Sequence, residues 1–180
     1  FLPEQIEGLA DNCPSVDACM KVCGMDQAVV SRGQMKVEDA EVLGMDSAAP
    51  KVANRPIVMG RTFSLVDDVE RRQVCIITPD LRDRLLLDRD CIGQSLSIGN
   101  RSFTVVGVVS PPERLPLGGQ NGALLGVYVP FSTAYKRGAW LSVKALAKSA
   151  DVVEEAQAEI TFFLRRTRGI APGEPTQPSR

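Results

Sequence analysis

The stretch that decides the fold is Ser95-Leu96-Ser97-Ile98-Gly99-Asn100-Arg101-Ser102-Phe103-Thr104-Val105-Val106-Gly107-Val108-Val109. Leu96 and Ile98 alternate with polar residues, and Phe103, Val105, Gly107 and Val109 alternate again after the break. Period-two alternation on both sides of a two-residue loop predicts a β-hairpin with one buried face. Gly99-Asn100 is that loop, because both residue types tolerate the positive φ that tight hairpin turns require. Immediately upstream, Gly93 and Gln94 set the turn that leads into the hairpin, with the Gln94 amide satisfying backbone groups. Gly107, inside a strand, marks a bulge or a close approach of another element.

Working outward, Gln73-Val74-Cys75-Ile76-Ile77 reads as a short buried strand. Thr78-Pro79-Asp80 then opens a helix, with Thr as the cap, Pro at the first helical position and Asp at the positive end of the dipole. Leu81 and Leu85 give that helix one apolar stripe, and it ends near Asp88. On the N-terminal side, residues 3–11 predict a short helix stopped by Asn12-Cys13-Pro14. Residues 19–32 read as extended up to Arg32-Gly33, and Met35 to Val42 as a returning strand. The segment 44–64 shows little periodicity and reads as loop with one helical turn.

Residues 110–123 are rich in Pro and Gly and predict an exposed loop. Beyond it come a strand from Leu124 to Phe131, a helical turn from Ser132 to Arg137, and a strand from Trp140 to Leu146. Asp151-Val152-Val153-Glu154 is an acidic variant of the capping box, followed by Val153, Ala156, Ile160 and Phe163 on one helical face. Arg165, Arg166 and Arg168 complement the negative end of the helix, and Gly169 ends it. The fold class that follows is α+β and two-lobed. Residues 1–33 and 124–170 form an α/β lobe, 34–123 an inserted β-rich lobe, and 171–180 a tail or linker.

Composition narrows the function. With 180 residues, 44% hydrophobic and 24% charged, the chain can bury a sizeable core. A formal net charge of −1 supplies no field for nucleic acid or an anionic bilayer. The absence of histidine removes Ser-His-Asp and Cys-His catalysis and His-containing zinc sites together. Neither a Gly-x-x-x-x-Gly-Lys-Ser/Thr loop nor a Gly-x-Gly-x-x-Gly motif is present, so any ATP hydrolysis belongs to a partner. No cofactor is expected. No apolar run reaches the length of a membrane span, and Phe1-Leu2-Pro3-Glu4 lacks signal-peptide character, which suggests an excised fragment or a mature secreted domain.

The five cysteines pull two ways. Cys13, Cys19 and Cys23 are separated by five and three residues, which is not a zinc-ribbon spacing. A Cys13–Cys19 disulfide in an oxidising compartment stands beside the reading of buried, inert thiols. A redox pair lacks its Cys-x-x-Cys.

The same residues resemble a known family. An Asp90-x-Ile92-Gly93-Gln94 run, a strand ending Ile98, a tight turn, and Phe103-x-Val105-Val106-Gly107-Val108 are similar to the extracytoplasmic core domain of MacB/FtsX-type ABC transporter permeases. The resemblance extends in order through Gly60-Arg61-Thr62-Phe63, Asp67-Asp68, the strand and Pro-led helix at 73–79, Val129-Pro130-Phe131-Ser132-Thr133-Ala134, and a last helix ending Leu164-Arg165-Arg166. Cys91 departs from it, since Pro is usual there. The resemblance implies a porter-like α/β lobe joined to a β-rich lobe, outside the cytoplasmic membrane between the first and second spans of a permease. It implies a non-catalytic domain that transmits ATP-driven motion and docks a partner or substrate, in export, lipoprotein extraction or envelope control. The implied partners are a cognate ABC ATPase, fused or separate, and a membrane-fusion or periplasmic protein. The full-length protein would be a homodimer or heterodimer, and the isolated domain monomeric or weakly dimeric. The expected contact surface is the loop carrying Arg114, Leu115, Leu117 and Leu124, whose leucines otherwise fold back onto the β lobe. A secreted, non-catalytic binding or adhesion module is the alternative.

Overall fold

Alternating apolar residues around Gly99-Asn100 form the hairpin as the pattern demands, and the rest of the sheet grows from its second strand. The structure, a computed structural model, describes residues 3–25, 29–114 and 117–169. The first elements are a 3-10 turn (Pro3–Gln5), α1 (Leu9–Asn12), β1 (Val16–Gly24), β2 (Val30–Arg32), β3 (Met35–Val37) and β4 (Glu41–Met45). Next come α2 (Ala49–Val52), β5 (Ile57–Gly60), α3 (Leu65–Val69), β6 (Val74–Ile77), α4 (Pro79–Arg84), β7 (Ser95–Ile98) and β8 (Arg101–Val109). The chain finishes with β9 (Gly126–Pro130), α5 (Phe131–Ala134), β10 (Leu141–Ala147), a 3-10 turn (Ala150–Val152) and α6 (Val153–Arg168).

The strands make one mixed sheet in the order β10-β1-β4-β9-β6-β8-β7-β2-β3, with β5 also on β8. The β4/β9 and β6/β8 pairs are parallel. In the hairpin, Leu96 faces Phe103 and Ile98 faces Arg101, which leaves Gly99-Asn100 as the two-residue turn. Gly99 takes φ 61° while Asn100 stays at negative φ, the arrangement of a type II′ turn. The alternation of β8 breaks at Gly107. Opposite β6, the partner of Cys75 is Val105 but that of Ile76 is Gly107, so one extra residue bulges out of β8. A bulge exchanges the faces of every residue beyond it. Phe103, Val105 and Val108 therefore share one core, while Val106 and Val109 join the other with Phe63, Ile76 and Tyr128. The expectation that Gly107 and Val109 continue the Phe103 face is corrected accordingly.

The Thr78 cap forms as its sequence indicates. Its side chain accepts from Leu81 N–H at 3.4 Å and from Gly126 N–H at 3.1 Å, and it donates to the Gly126 carbonyl at 3.4 Å. The hydroxyl thus starts α4 and ties β6 to β9. Thr78→Val keeps the shape and strands these groups in a buried place, so it should cost about 2 kcal/mol, read as a lower urea midpoint at unchanged m.

The chain divides into two units between Cys19 and Met20 and between Lys144 and Ala145, instead of at 33/34 and 123/124. The ladders give the reason. β2 pairs with β7, and β9 lies between β4 and β6, so 20–33 and 124–144 belong with the central strands. In the terminal unit, the Glu159 carboxylate accepts from Ser15 N–H and from its hydroxyl, both at 2.9 Å. Leu9, Cys13 and Ala156 are buried there.

Other boundaries also moved. The segment read as loop at 44–64 contains β5 as well as the turn of α2. The helix after Thr78 ends at Arg84 rather than near Asp88. The acidic capping box at Asp151 does not form, because a 3-10 turn precedes α6 and Val152 is its cap without a side-chain bond. Val153 is exposed on that helix, whereas Ala156 is buried. Gly169 ends α6 at φ 66°. The tail 171–180 lies outside the described residues. No helix among the described residues is long and apolar enough to cross a membrane.

Candidate functional site

The loop between β8 and β9 leaves the sheet at Ser110 and is held at its base by charge. Ser110 N–H donates to the Pro56 carbonyl at 2.8 Å. The Ser110 carbonyl receives Arg55 Nε at 3.2 Å and Nη2 at 2.8 Å, a two-pronged clamp that a planar guanidinium suits. Arg55 Nη1 reaches the Tyr128 hydroxyl at 3.1 Å, so one buried side chain links α2–β5, the loop and β9. Asn121 holds the other limb. Its Oδ1 accepts from Glu113 N–H at 2.7 Å, and its Nδ2 donates to the Ala53 and Asn54 carbonyls, each at 3.3 Å.

Beyond these anchors the tip is open. Arg114 bridges Gln120 and is exposed, Leu117 is fully exposed and Leu124 is half exposed. Leu115 lies outside the described residues. The two described leucines therefore do not fold back onto the sheet.

The turn residues before the hairpin lie near one another. Gly93 has φ 87° and its N–H donates to the Val105 carbonyl at 2.8 Å. Gln94 Oε1 accepts from Asp88 N–H at 3.2 Å, and its Nε2 donates to the Asp88 carboxylate. Gln94 thus closes the α4–β7 connection locally.

Burial keeps four of the thiols protonated. It pushes Cys23 up to about 11 and raises Cys13, Cys75 and Cys91. Cys13 and Cys19 are not cross-linked in this structure. No cluster of metal-ligating residues occurs among the described residues.

Two charged groups carry roles that the sequence analysis leaves unassigned. One is Arg55. The other is Asp67, whose carboxylate is fully buried and meets Arg61 Nη1 at 2.6 Å and Arg72 Nη1 at 3.7 Å. It also accepts from Ser64 N–H at 2.8 Å and Ser64 Oγ at 3.0 Å, while Ser64 Oγ accepts from Asp67 N–H at 3.2 Å. The Arg61 hydrogen bond leads in holding the Asp67 carboxyl down at about 2, and the Ser64 donors add to it. Ser64-x-x-Asp67 is a capping-box signature, so this site had a legible signal. The helix it starts exposes Leu65, Val66 and Val69.

Over the second face of the sheet lies a cleft of about 820 Å³, walled by Met45, Ile76, Phe63 and Tyr128 and reached by Arg55. Burial raises the Tyr128 phenol, and Arg55 opposes that rise.

Residues 2–162 match the family of MacB-like periplasmic core domains. The pyoverdine export ATP-binding/permease protein PvdT of Pseudomonas fluorescens is 29% identical over 181 residues, covering 93% of this chain and 26% of that protein. The macrolide export ATP-binding/permease protein MacB of Chromobacterium violaceum is 30% identical over 99 residues, covering 55% of this chain and 15% of that protein. The chain thus spans about a quarter or less of these relatives. Among solved structures, the periplasmic region of MacB from Actinobacillus actinomycetemcomitans superposes with a TM-score of 0.74 at 17% identity, covering 93% of this chain and 74% of that one. The extracellular domain of the ABC-type transporter YknZ from Gram-positive bacteria gives 0.72 at 20% identity, covering 95% and 86%. At these identities the structures establish the shared mixed α/β fold.

Proposed function

The chain belongs to the family of MacB-like periplasmic core domains, and from that membership we propose that it is the extracytoplasmic part of an ABC transporter permease, transmitting ATP-driven motion and docking a partner protein through the loop around Leu117. The observation that carries this reading is the family match across residues 2–162, nearly the whole chain. The named relatives are export proteins that combine an ATP-binding and a permease part. The direction of transport is carried over from them, and the cargo is not. The domain itself performs no catalysis, and ATP is hydrolysed on a separate nucleotide-binding domain or subunit.

The loop suits a docking role because its limbs are anchored and the described residues of its tip are exposed. Arg55 and Asn121 hold the base, while Leu117 and Leu124 offer apolar surface to solvent. A membrane-fusion or other envelope protein is the partner expected there.

The test places a polarity-sensitive dye on Leu117→Cys in the parent permease with its ATPase, reconstituted in vesicles. Labelling is made selective by replacing the partly exposed Cys19 with serine, since Cys13, Cys23, Cys75 and Cys91 are buried. ATP supplied on the cytoplasmic side should change the emission, and a hydrolysis-deficient ATPase should abolish the cycle. An emission indifferent to ATP would contradict transmission of motion to this loop.

A further inference from the structure

We propose that the cleft over the second face of the sheet binds a small amphiphile, an apolar body bearing one carboxylate, with Arg55 receiving the anion. The cleft's volume of about 820 Å³ falls within the several hundred to about 1,000 Å³ of small-molecule sites. All of its lining comes from residues 20–144, so a single unit builds it. Met20, Val22, Leu43, Met45, Phe63 and Ile76 make its walls apolar. Interiors normally close over such a sheet face at crystal-like density, and this one leaves room.

Two polar groups in the wall lack what burial demands. Arg55 is 4% exposed, yet its hydrogen-bond acceptors are the Ser110 carbonyl and the Tyr128 hydroxyl, both neutral. Among the described residues no carboxylate pairs with it. A guanidinium has five N–H donors, so these three bonds leave donors in hand. A buried cation without a counter-charge is costly, and an incoming anion removes that cost. The second group is Thr62 Oγ1, which lines the same cleft and is buried without a hydrogen-bond partner among the described residues. Such an orphan hydroxyl is uncommon in native proteins. A ligand with acceptor oxygens supplies partners to the remaining guanidinium donors. Asp46 also lines the cleft, half-buried, but its carboxylate already accepts from Lys21 N–H and Ala48 N–H, whereas Glu41, Glu113 and Lys144 are exposed, where water and salt screen them. The buried charge with donors still to offer is therefore the Arg55 guanidinium, and it selects the head group.

Trp140 lines the cleft and is the single tryptophan of the chain, so its emission reports occupancy. The experiment titrates the chain with dodecanoate and with dodecyltrimethylammonium, each below its micelle concentration, following Trp140 emission and heat. Dodecanoate should bind saturably at one site, at least tenfold tighter than the ammonium of equal chain length. Arg55→Met should weaken dodecanoate at least tenfold and remove the discrimination between heads. Equal affinity for the two heads, no saturable binding of dodecanoate, or full affinity in Arg55→Met would each overturn the proposal. Because Arg55 also clamps Ser110, a second variant guards against misfolding. Ala53→Phe fills the cleft from a half-exposed wall position and should abolish dodecanoate binding, and retained binding would overturn the proposal as well.

Discussion

Replacing Asp67 by alanine should lower stability by about 3 kcal/mol, measured by urea unfolding at neutral pH. The carboxylate is fully buried and serves Arg61, Arg72 and both polar groups of Ser64 at once. Removing one member of a buried pair costs about 3–5 kcal/mol, and the half-exposed arginines place this case at the lower end. The loss is not confined to one contact. A helix of five residues cannot persist on its own propensity, so α3 depends on this cap and on ties to α5. Those ties are Ser132 N–H to Asp68 at 2.8 Å and Thr133 Oγ1 to the Arg72 carbonyl at 3.0 Å. With α3 go the exposed Leu65, Val66 and Val69 that it presents. The same group imposes a pH dependence. Its folded-state value of about 2 lies below the ordinary 3.8, so the stabilisation is complete above the ordinary value and is lost as pH falls toward 2. The stability of the wild-type chain should therefore fall by roughly 2 kcal/mol over that interval on account of this carboxyl. Asp67→Asn should flatten the slope, and an unchanged slope would show that Asp67 is not the group responsible.

Gly107→Ala should cost about 3 kcal/mol, out of proportion to one methyl group. A Cβ at this position would stand 2.3 Å from the Arg61 carbonyl oxygen, a backbone atom that no rotamer change can move. Arg61 N–H is bonded to the Val106 carbonyl at 2.9 Å, so the segment cannot retreat without breaking that bond. Gly107 also pairs on one side with Ile76 of β6 and on the other with Gly60 of β5. Overpacking a closed site typically costs about 1–3 kcal/mol, and a fixed backbone neighbour puts this one at the top of that range. Differential hydrogen exchange should show the loss in β5, β6 and β8. A fully stable alanine variant would mean that the strands separate more easily than their pairing indicates.

The parts of the fold that were legible in the sequence were those decided within a few residues. Gly99-Asn100 states its own turn, Thr78-Pro79 its own helix start, and Gly169 its own helix end. Ser64-x-x-Asp67 is equally local, but the run around it has no periodicity to mark a helix, while Asp151 offers the same pattern and loses to a 3-10 turn. What could not be read was set by distant partners. Arg55 becomes a buried clamp through Ser110 and Tyr128, 55 and 73 positions away. The exchange of faces in β8 is dictated by how β6 and β5 flank Gly107, which periodicity along one strand does not record. The unit boundaries are hard to read for the same reason, since strand neighbours in the sheet are remote in the chain. Of the loop, its exposure was readable from Pro and Gly content, and its anchoring by Asn121 was not.

The most direct test of the central claim is the sequence of the reading frame on both sides of this chain. An extracytoplasmic permease domain of this kind requires one apolar span of about twenty residues before Phe1 and three more after Arg180. Those four spans are the result expected here. A reading frame with no apolar span on either side would contradict the permease account and leave a free, two-unit binding module in its place.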